Sequence, residues 1–207
     1  MRIITIGRQF GSGGRELGRR LAKALGYDYY DRQIVTAIAK EYGINDEYVA
    51  EALENNDWSD HSSTFMHSFS IDYVMQAEKV KLLTEQRRVI ENIAKLGRDF
   101  LIVGRNADVL LEEYQPFNIF ACAELEARVM RCQERSSDEE NLTVKQLKKN
   151  IRRIDKNRAR SREMITEKLW GEASSYHLVV NTTGWDFDEL TAAVADYANR
   201  FFDRSAV

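Results

Sequence analysis

Thirteen residues near the start, Ile4-Thr5-Ile6-Gly7-Arg8-Gln9-Phe10-Gly11-Ser12-Gly13-Gly14-Arg15-Glu16, set four glycines beside two arginines in a stretch that reads as strand, turn and helix. Glycines at Gly11, Gly13 and Gly14 allow positive φ and turn several N–H groups inward, and a helix that follows at once offers its own unpaired N–H groups and positive dipole end. The chemistry suited to such a turn is the cradling of a polyphosphate. The competing reading is a tight turn that packs a helix on a sheet. Strand-to-helix context favours the phosphate.

The turn departs from the G-x-x-x-x-G-K-[ST] pattern. Gly14 stands where the lysine would be, and Arg15 and Glu16 follow it. The cation that normally meets β and γ oxygens must then come from Arg15 or Arg8, or the loop binds phosphate without transferring it. The hydroxyl that helps to hold Mg²⁺ is also displaced, which leaves Ser12 and the carboxylate of Glu16 as candidates for the ion.

Two further sets of arginines could meet anions. Leu101-Ile102-Val103-Gly104-Arg105-Asn106 puts Arg105 at the carboxyl end of a buried strand, where open α/β sheets bind ligands. Its planar fork suits a phosphate, or alternatively an ion pair with Asp108. In a long basic segment, Asp155, Arg158 and Arg162 are spaced three and four apart and share one helical stripe, with Arg153 on an adjacent face. Two guanidiniums beside a carboxylate can neutralise charge on a transferring phosphoryl group. A solvated, salt-bridged helix and an RNA-binding helix are the other readings, and the acidic balance of the chain speaks against RNA.

The elements that must carry these groups follow from hydropathy patterning. Short apolar runs at 3–6, 100–103, 117–121 and 178–180, with a weaker one at 27–30, suit buried parallel strands, each followed by a helical pattern. Alternation of this kind implies a parallel sheet with helices on both faces. Leu17, Leu21 and Leu25 mark the first helix, which Gly26 stops. Thr143 with Gln146, and Asp186 with Glu189, have capping-box spacing and should start the long basic helix and the C-terminal helix. Residues 31–96 read as wholly helical, with Val74, Ala77, Val80, Leu83, Ile90 and Ile93 near one face.

With 207 residues, 43% hydrophobic and 30% charged, the chain has the make-up of an ordinary globular protein. A formal net charge of −3 argues against wholesale polyanion binding, so any phosphate site must be a local basic cluster. No signal-peptide pattern and no apolar stretch of membrane-spanning length is legible, and the expectation is a cytoplasmic protein without a membrane partner. Cys122 and Cys132 lack metal-ligand spacing and read as reduced thiols. His61 and His67 make no convincing metal site.

Taken together these residues resemble the cytidylate kinase-like family, a divergent branch of the P-loop nucleoside-monophosphate kinases, over almost the whole chain. Gly11 to Glu16, GSGGRE, stands where the family's ordinary phosphate loop reads GSGKGT. Leu25 to Asp31 is similar to its second strand and acceptor-site entrance, and Val103 to Asp108 to its G-R-D segment, with Asn106 in place of the aspartate. Arg152, Asp155 and Arg158 match its R-D-x-x-D-x-x-R pattern, with Arg153 at the second position, and 178–183 resembles its final strand.

The resemblance implies a three-layer P-loop NTPase fold: one domain over 1–207, a five-stranded parallel sheet with helices on both faces, a helical acceptor-side insertion at about 32–96 and a lid at about 134–150. It implies phosphoryl transfer from ATP, with Mg²⁺, to a small phosphorylated acceptor such as CMP or dCMP, and no nucleic acid polymer as partner. Arg8, Gly11, Ser12, Gly13, Gly14, Arg15 and Glu16 would hold the ATP phosphates. Asp31, Arg105, Asp108, Asp155, Arg158 and Arg162 would receive the acceptor, with Arg15, Arg153 and Arg158 catalytic. Trp58, Phe65, Phe69 and Tyr73 of the insertion are candidates to enclose a base, or else core. The alternatives are a nucleotide sensor that has lost transfer, suggested by Gly14, and a kinase for another small molecule.

Overall fold

A computed structural model describes residues 1–31, 33–43, 68–135 and 142–204. Five parallel strands form one sheet: β1 (Ile3–Arg8), β2 (Asp28–Tyr30), β3 (Phe100–Val103), β4 (Phe117–Cys122) and β5 (Leu178–Asn181). Their order across the sheet is β2-β3-β1-β4-β5. In register, Ile4 lies opposite Leu101 on one side and Phe117 on the other. The chain order reverses on either side of β1, so the crevice beyond the carboxyl end of β1 is a topological switch point, the place where open parallel sheets receive ligands.

Strand periodicity assigns the two faces. Ile3, Phe100 and Ile102 point to one side, where they meet Ile34 of α2 (Gln33–Tyr42) and Leu82, Ile90 and Ala94 of α3 (Ser68–Lys95). Ile4, Ile6, Leu101 and Val103 point to the other, against Leu17 and Leu21 of α1 (Gly14–Leu25) and Leu190 and Val194 of α7 (Phe187–Arg204). A short α4 (Ala107–Leu110) follows β3. Helices α5 (Leu125–Arg135) and α6 (Val144–Glu163) close a third, smaller apolar cluster of Val129, Leu147 and Ile151 beside Phe10. This is the three-layer α/β arrangement with helices on both faces that the sequence predicts.

The caps fall where their residue types require. Gly26 ends α1 at φ 72°, and Thr143 opens α6 with a reciprocal capping box to Gln146. Asp186 accepts the N–H groups of Asp188 (2.7 Å) and Glu189 (3.1 Å) at the start of α7.

One expectation needs correction. In α3 the buried stripe is Leu82, Gln86, Ile90 and Ala94, with Leu83 and Ile93 only partly covered. Val80, expected on the buried face, is 57% exposed. The true stripe advances four residues at a time and passes through a buried amide, which a search for apolar residues alone steps over. Of the predicted insertion, residue 32 and residues 44–67 lie outside the described residues, and with them Trp58, Phe65, His61 and His67; the side chains of Phe69, Tyr73, Val74 and Ala77 do too. Of the predicted lid, 136–141 lie outside them.

Candidate active site

Two cavities meet at the carboxyl ends of β1 and β3. The larger, about 390 Å³, opens over the glycine turn and is bordered by Gly11, Gly13, Arg15, Arg131 and Ile154. The smaller, about 50 Å³, is a slot bordered by Arg105, Asp108, Ser161, Arg162 and Tyr176. Arg8 and Arg158 border both.

The turn adopts the conformation its glycines permit. Gly11 has φ 75° and Gly13 φ 78°, and the first turn of α1 has no side-chain cap. Apart from the Gly14 N–H, which faces Ser12 Oγ at 3.3 Å, its leading N–H groups suit an anion at the mouth of the larger cavity. Neighbouring groups hold the turn. Arg128 Nε donates to Phe10 O (2.7 Å) and its guanidinium pairs with Asp155, which accepts the Phe10 N–H (2.7 Å) through its other oxygen. Burial raises the Asp155 carboxyl above the usual carboxylate range against the opposing pull of the Phe10 N–H and Arg128. On the other flank, Arg131 Nη1 donates to Ser12 O (3.2 Å), Arg131 Nη2 to Thr182 O (2.7 Å), and Thr182 Oγ1 to Ser12 O (2.6 Å).

The missing lysine has a steric explanation. A Cβ on Gly14 would lie 2.7 Å from Arg8 Cβ and 2.9 Å from Ala121 Cβ, so the stem of Arg8 occupies the space in which a side chain at position 14 would begin. Arg8 carries a cation into the crevice instead. Its guanidinium lies against Gly104, where any Cβ would fall on it, and its Nη2 is 3.8 Å from Asp31 Oδ1. Arg15, half-exposed, pairs with the other Asp31 oxygen. Arg158 Nη1 donates to the Arg8 carbonyl (3.1 Å), and its guanidinium lies 5.7 Å from the Phe10 ring centroid.

Around the slot the backbone is unusual. Gly104, Arg105 and Asn106 follow one another at φ 76°, 62° and 52°. For the two non-glycine residues this left-handed conformation costs on the order of 1–3 kcal/mol each. Gln86, 3% exposed, donates from Nε2 to the Arg105 carbonyl (3.1 Å). Below it Arg162, 1% exposed, donates to Asp108 Oδ2 (2.7 Å) and Lys168 O (2.8 Å), while its Nη2 is buried with no hydrogen-bond partner among the described residues.

The structure thus brings Arg8, Gly11, Gly13, Gly14, Arg15, Arg105, Asp108, Arg158 and Arg162 to the walls of the two cavities, with Asp31 behind Arg15. Asp155, expected to meet the acceptor, is taken up by Arg128 and the Phe10 N–H. Arg153, expected to be catalytic, is exposed and borders neither cavity.

The residues proposed for Mg²⁺ do not fit direct ligation. Ser12 is fully buried and its Oγ faces the Gly14 N–H at 3.3 Å. Glu16 is held by Arg20 (2.7 Å) and Arg19 (3.0 Å); burial pushes its carboxyl up, and these two arginines together outweigh it and lower the pKa. Among the described residues no three His, Cys, Asp or Glu side chains converge as a metal site. Sequence reading missed Arg128, Arg131 and Gln86. Arg128 and Arg131 lie one helical turn apart just after a buried strand, a spacing that could have marked them.

Residues 3–184 match the model of the cytidylate kinase-like family. The chain belongs to this family. A curated relative, a cytidylate kinase of Haloarcula marismortui, is 24% identical over 185 residues, 89% of this chain and 82% of the relative. Among solved structures, an uncharacterized protein from Eubacterium ventriosum superposes with a TM-score of 0.69 at 20% identity, covering 96% of this chain and 99% of that one. A shikimate kinase from Bacteroides thetaiotaomicron gives 0.58 at 11% identity, covering 96% and 98%. These likenesses show the P-loop kinase fold. Membership of a kinase-like family on that fold supports a phosphotransferase of the nucleotide-kinase type. Among the described residues no helix is long and apolar enough to cross a membrane.

Proposed function

We propose that this cytidylate kinase-like protein transfers the terminal phosphoryl group of ATP to a nucleoside monophosphate, with CMP or dCMP as the acceptor. The observation that carries the reading is the sharing of Arg8 and Arg158 between the cavity over the glycine turn and the arginine-lined slot. Phosphoryl transfer needs donor and acceptor phosphates in line with cations between them, and little else from the protein.

In this reading the turn from Gly11 to Gly14 and the start of α1 hold the donor phosphates, with Arg15 at their edge. Arg105 holds the acceptor phosphate. An acceptor phosphate oxygen, already ionised at neutral pH, attacks the γ-phosphorus. The bond from that phosphorus to the β-bridging oxygen breaks, ADP leaves with the electron pair, and a nucleoside diphosphate forms. Arg8 and Arg158 stabilise the charge spread over the transferring oxygens.

The test is ADP formation from Mg²⁺-ATP with CMP, dCMP, UMP, AMP, GMP and shikimate, against a no-acceptor control. Turnover with one pyrimidine monophosphate is the expected result. Arg158→Ala should lower kcat by about 10²–10³-fold, the usual loss on removing one such charge-stabilising donor, with the KM for ATP changed less than about twofold. An unchanged kcat refutes the role of Arg158. ATP binding without turnover on any of these acceptors refutes the nucleoside-monophosphate reading and leaves a nucleotide sensor or a kinase for another small molecule, and turnover with shikimate alone moves the acceptor class.

A further inference from the structure

Helix α3 lies behind the slot, and among its described side chains the buried stripe is apolar except at one position. Leu82, Ile90 and Ala94 pack into the core beneath β3, and Gln86 sits among them at 3% exposure. An amide placed in such a stripe is costly unless it is hydrogen-bonded. Its partner is the carbonyl of Arg105, at 3.1 Å from Nε2. That carbonyl belongs to the middle of three successive left-handed residues, two of them not glycine.

Left-handed residues occur singly by default, because for an L residue the Cβ crowds the neighbouring carbonyl. A run of three has to be held from outside. The Gly104 N–H donates to Ile6 O (2.8 Å), the Ala107 N–H to Gly104 O (3.2 Å), and the N–H groups of Val109 (3.0 Å) and Leu110 (3.1 Å) to Asn106 O, while Gln86 fixes the Arg105 carbonyl between them. The same backbone path makes the room for Arg8, whose guanidinium lies where a side chain on Gly104 would start. Gln86 and Arg105 both border the slot.

Resting on the kinase reading above, we propose that Gln86 is a positioning residue for the acceptor site, holding the Arg105 peptide in its left-handed conformation so that the Arg105 guanidinium meets the acceptor phosphate. Gln86 acts through Arg105 and not on the transferring group. It therefore affects acceptor binding more than turnover, and its effect requires the Arg105 side chain.

The experiment compares the wild type, Gln86→Leu, Arg105→Ala and the double variant. Three readouts are taken on each: CMP affinity by calorimetry, kcat and the KM for ATP by steady-state kinetics, and backbone hydrogen exchange across the chain, read above all over residues 104–111. Gln86→Leu should weaken CMP about tenfold, the worth of roughly one hydrogen bond. It should leave the KM for ATP unchanged and speed exchange at the Ala107 amide, with β1 and β4 unaffected. In the Arg105→Ala background the same substitution should change CMP affinity less than about twofold, the signature of action through one partner.

Unchanged exchange at Ala107 overturns the proposal, as does a full tenfold loss on top of Arg105→Ala. A merely structural residue would slow exchange nowhere, speed it throughout α3 and β3, and lower kcat and affinity alike; that pattern overturns it too. If the wild type turns over no monophosphate, the kinase reading fails by itself. Inorganic phosphate then replaces CMP as the probe, and the same double-variant comparison and exchange readout still decide the role of Gln86.

Discussion

Gly14 looks like a loss when the turn is compared with its lysine-bearing counterpart; in the proposed function it is an exchange, with Arg8 supplying the cation. The Arg8 stem enters from the end of β1, meets Gly14 on one side and crosses Gly104 on the other, so three positions depend on one another. A Cβ at 14 has nowhere to go, because both nearby atoms are Cβ atoms fixed to the backbone of β1 and β4. Gly14→Ala should therefore lower stability by about 1–3 kcal/mol, the range for overpacking, measured as a urea midpoint shift at constant slope. Gly14→Lys should not raise turnover, and Arg8→Met, which keeps the buried stem and removes the cation, should abolish most of it. A G14K variant more active than the parent would show that Arg8 does not stand in for the lysine. Sequence alone narrowed the substitute to Arg8 or Arg15. The choice between them depends on which stem fills the Gly14 space, and spacing carries no information about that.

Strands and caps were legible because their signals are local. Buried parallel strands are continuous apolar runs, and each of the five expected runs is a strand within a residue or two of its expected limits at most ends. The capping box at Thr143 was legible for the same reason, and it starts the helix that carries Asp155, Arg158 and Arg162. Thr143→Ala should cost about 1 kcal/mol, visible in the thermal midpoint. It should also loosen the first turn of α6, visible as faster exchange at the N–H of Gln146. No change in either would mean that the packing of Leu147 and Ile151, and not the cap, sets the first turns of α6. What stayed hidden is how elements share residues. The Asp155–Arg128 pair joins α6 to α5 and to the glycine turn, Arg162–Asp108 joins α6 to α4, and Gln86 joins α3 to the left-handed turn after β3. Each is a contact between segments far apart in sequence, and a helical stripe of charges reads the same whether it faces water or a neighbour.

At the scale of the whole molecule, the two ends of the sheet carry different chemistry. The carboxyl ends of β1 and β3 gather Arg8, Arg105, Arg158 and Arg162 in a chain whose net charge is −3. The amino end of β5 carries instead a histidine in an aromatic setting. His177 lies 4.7 Å from the Phe201 ring and 6.0 Å from Phe117, centroid to centroid, and its Nδ1 accepts the Asn118 N–H at 2.9 Å. Burial, and then the charge of Lys168, lower its pKa below the ordinary 6.5. An imidazole whose folded pKa is depressed stays neutral in the native state while the unfolded chain takes up the proton first. Its contribution to stability is therefore complete above pH 6.5 and is lost as pH falls from there toward the folded pKa. Urea unfolding at pH 7.5 and pH 5.5 should show the drop, and His177→Asn, which keeps an acceptor for the Asn118 N–H, should remove that part of it. His177 borders neither of the two arginine-lined cavities. The KM for ATP and for the acceptor, corrected for the acceptor's own ionisation, should consequently stay level between these pH values as stability declines. A parallel fall in acceptor binding that His177→Asn abolishes would show instead that the two ends of the sheet are coupled.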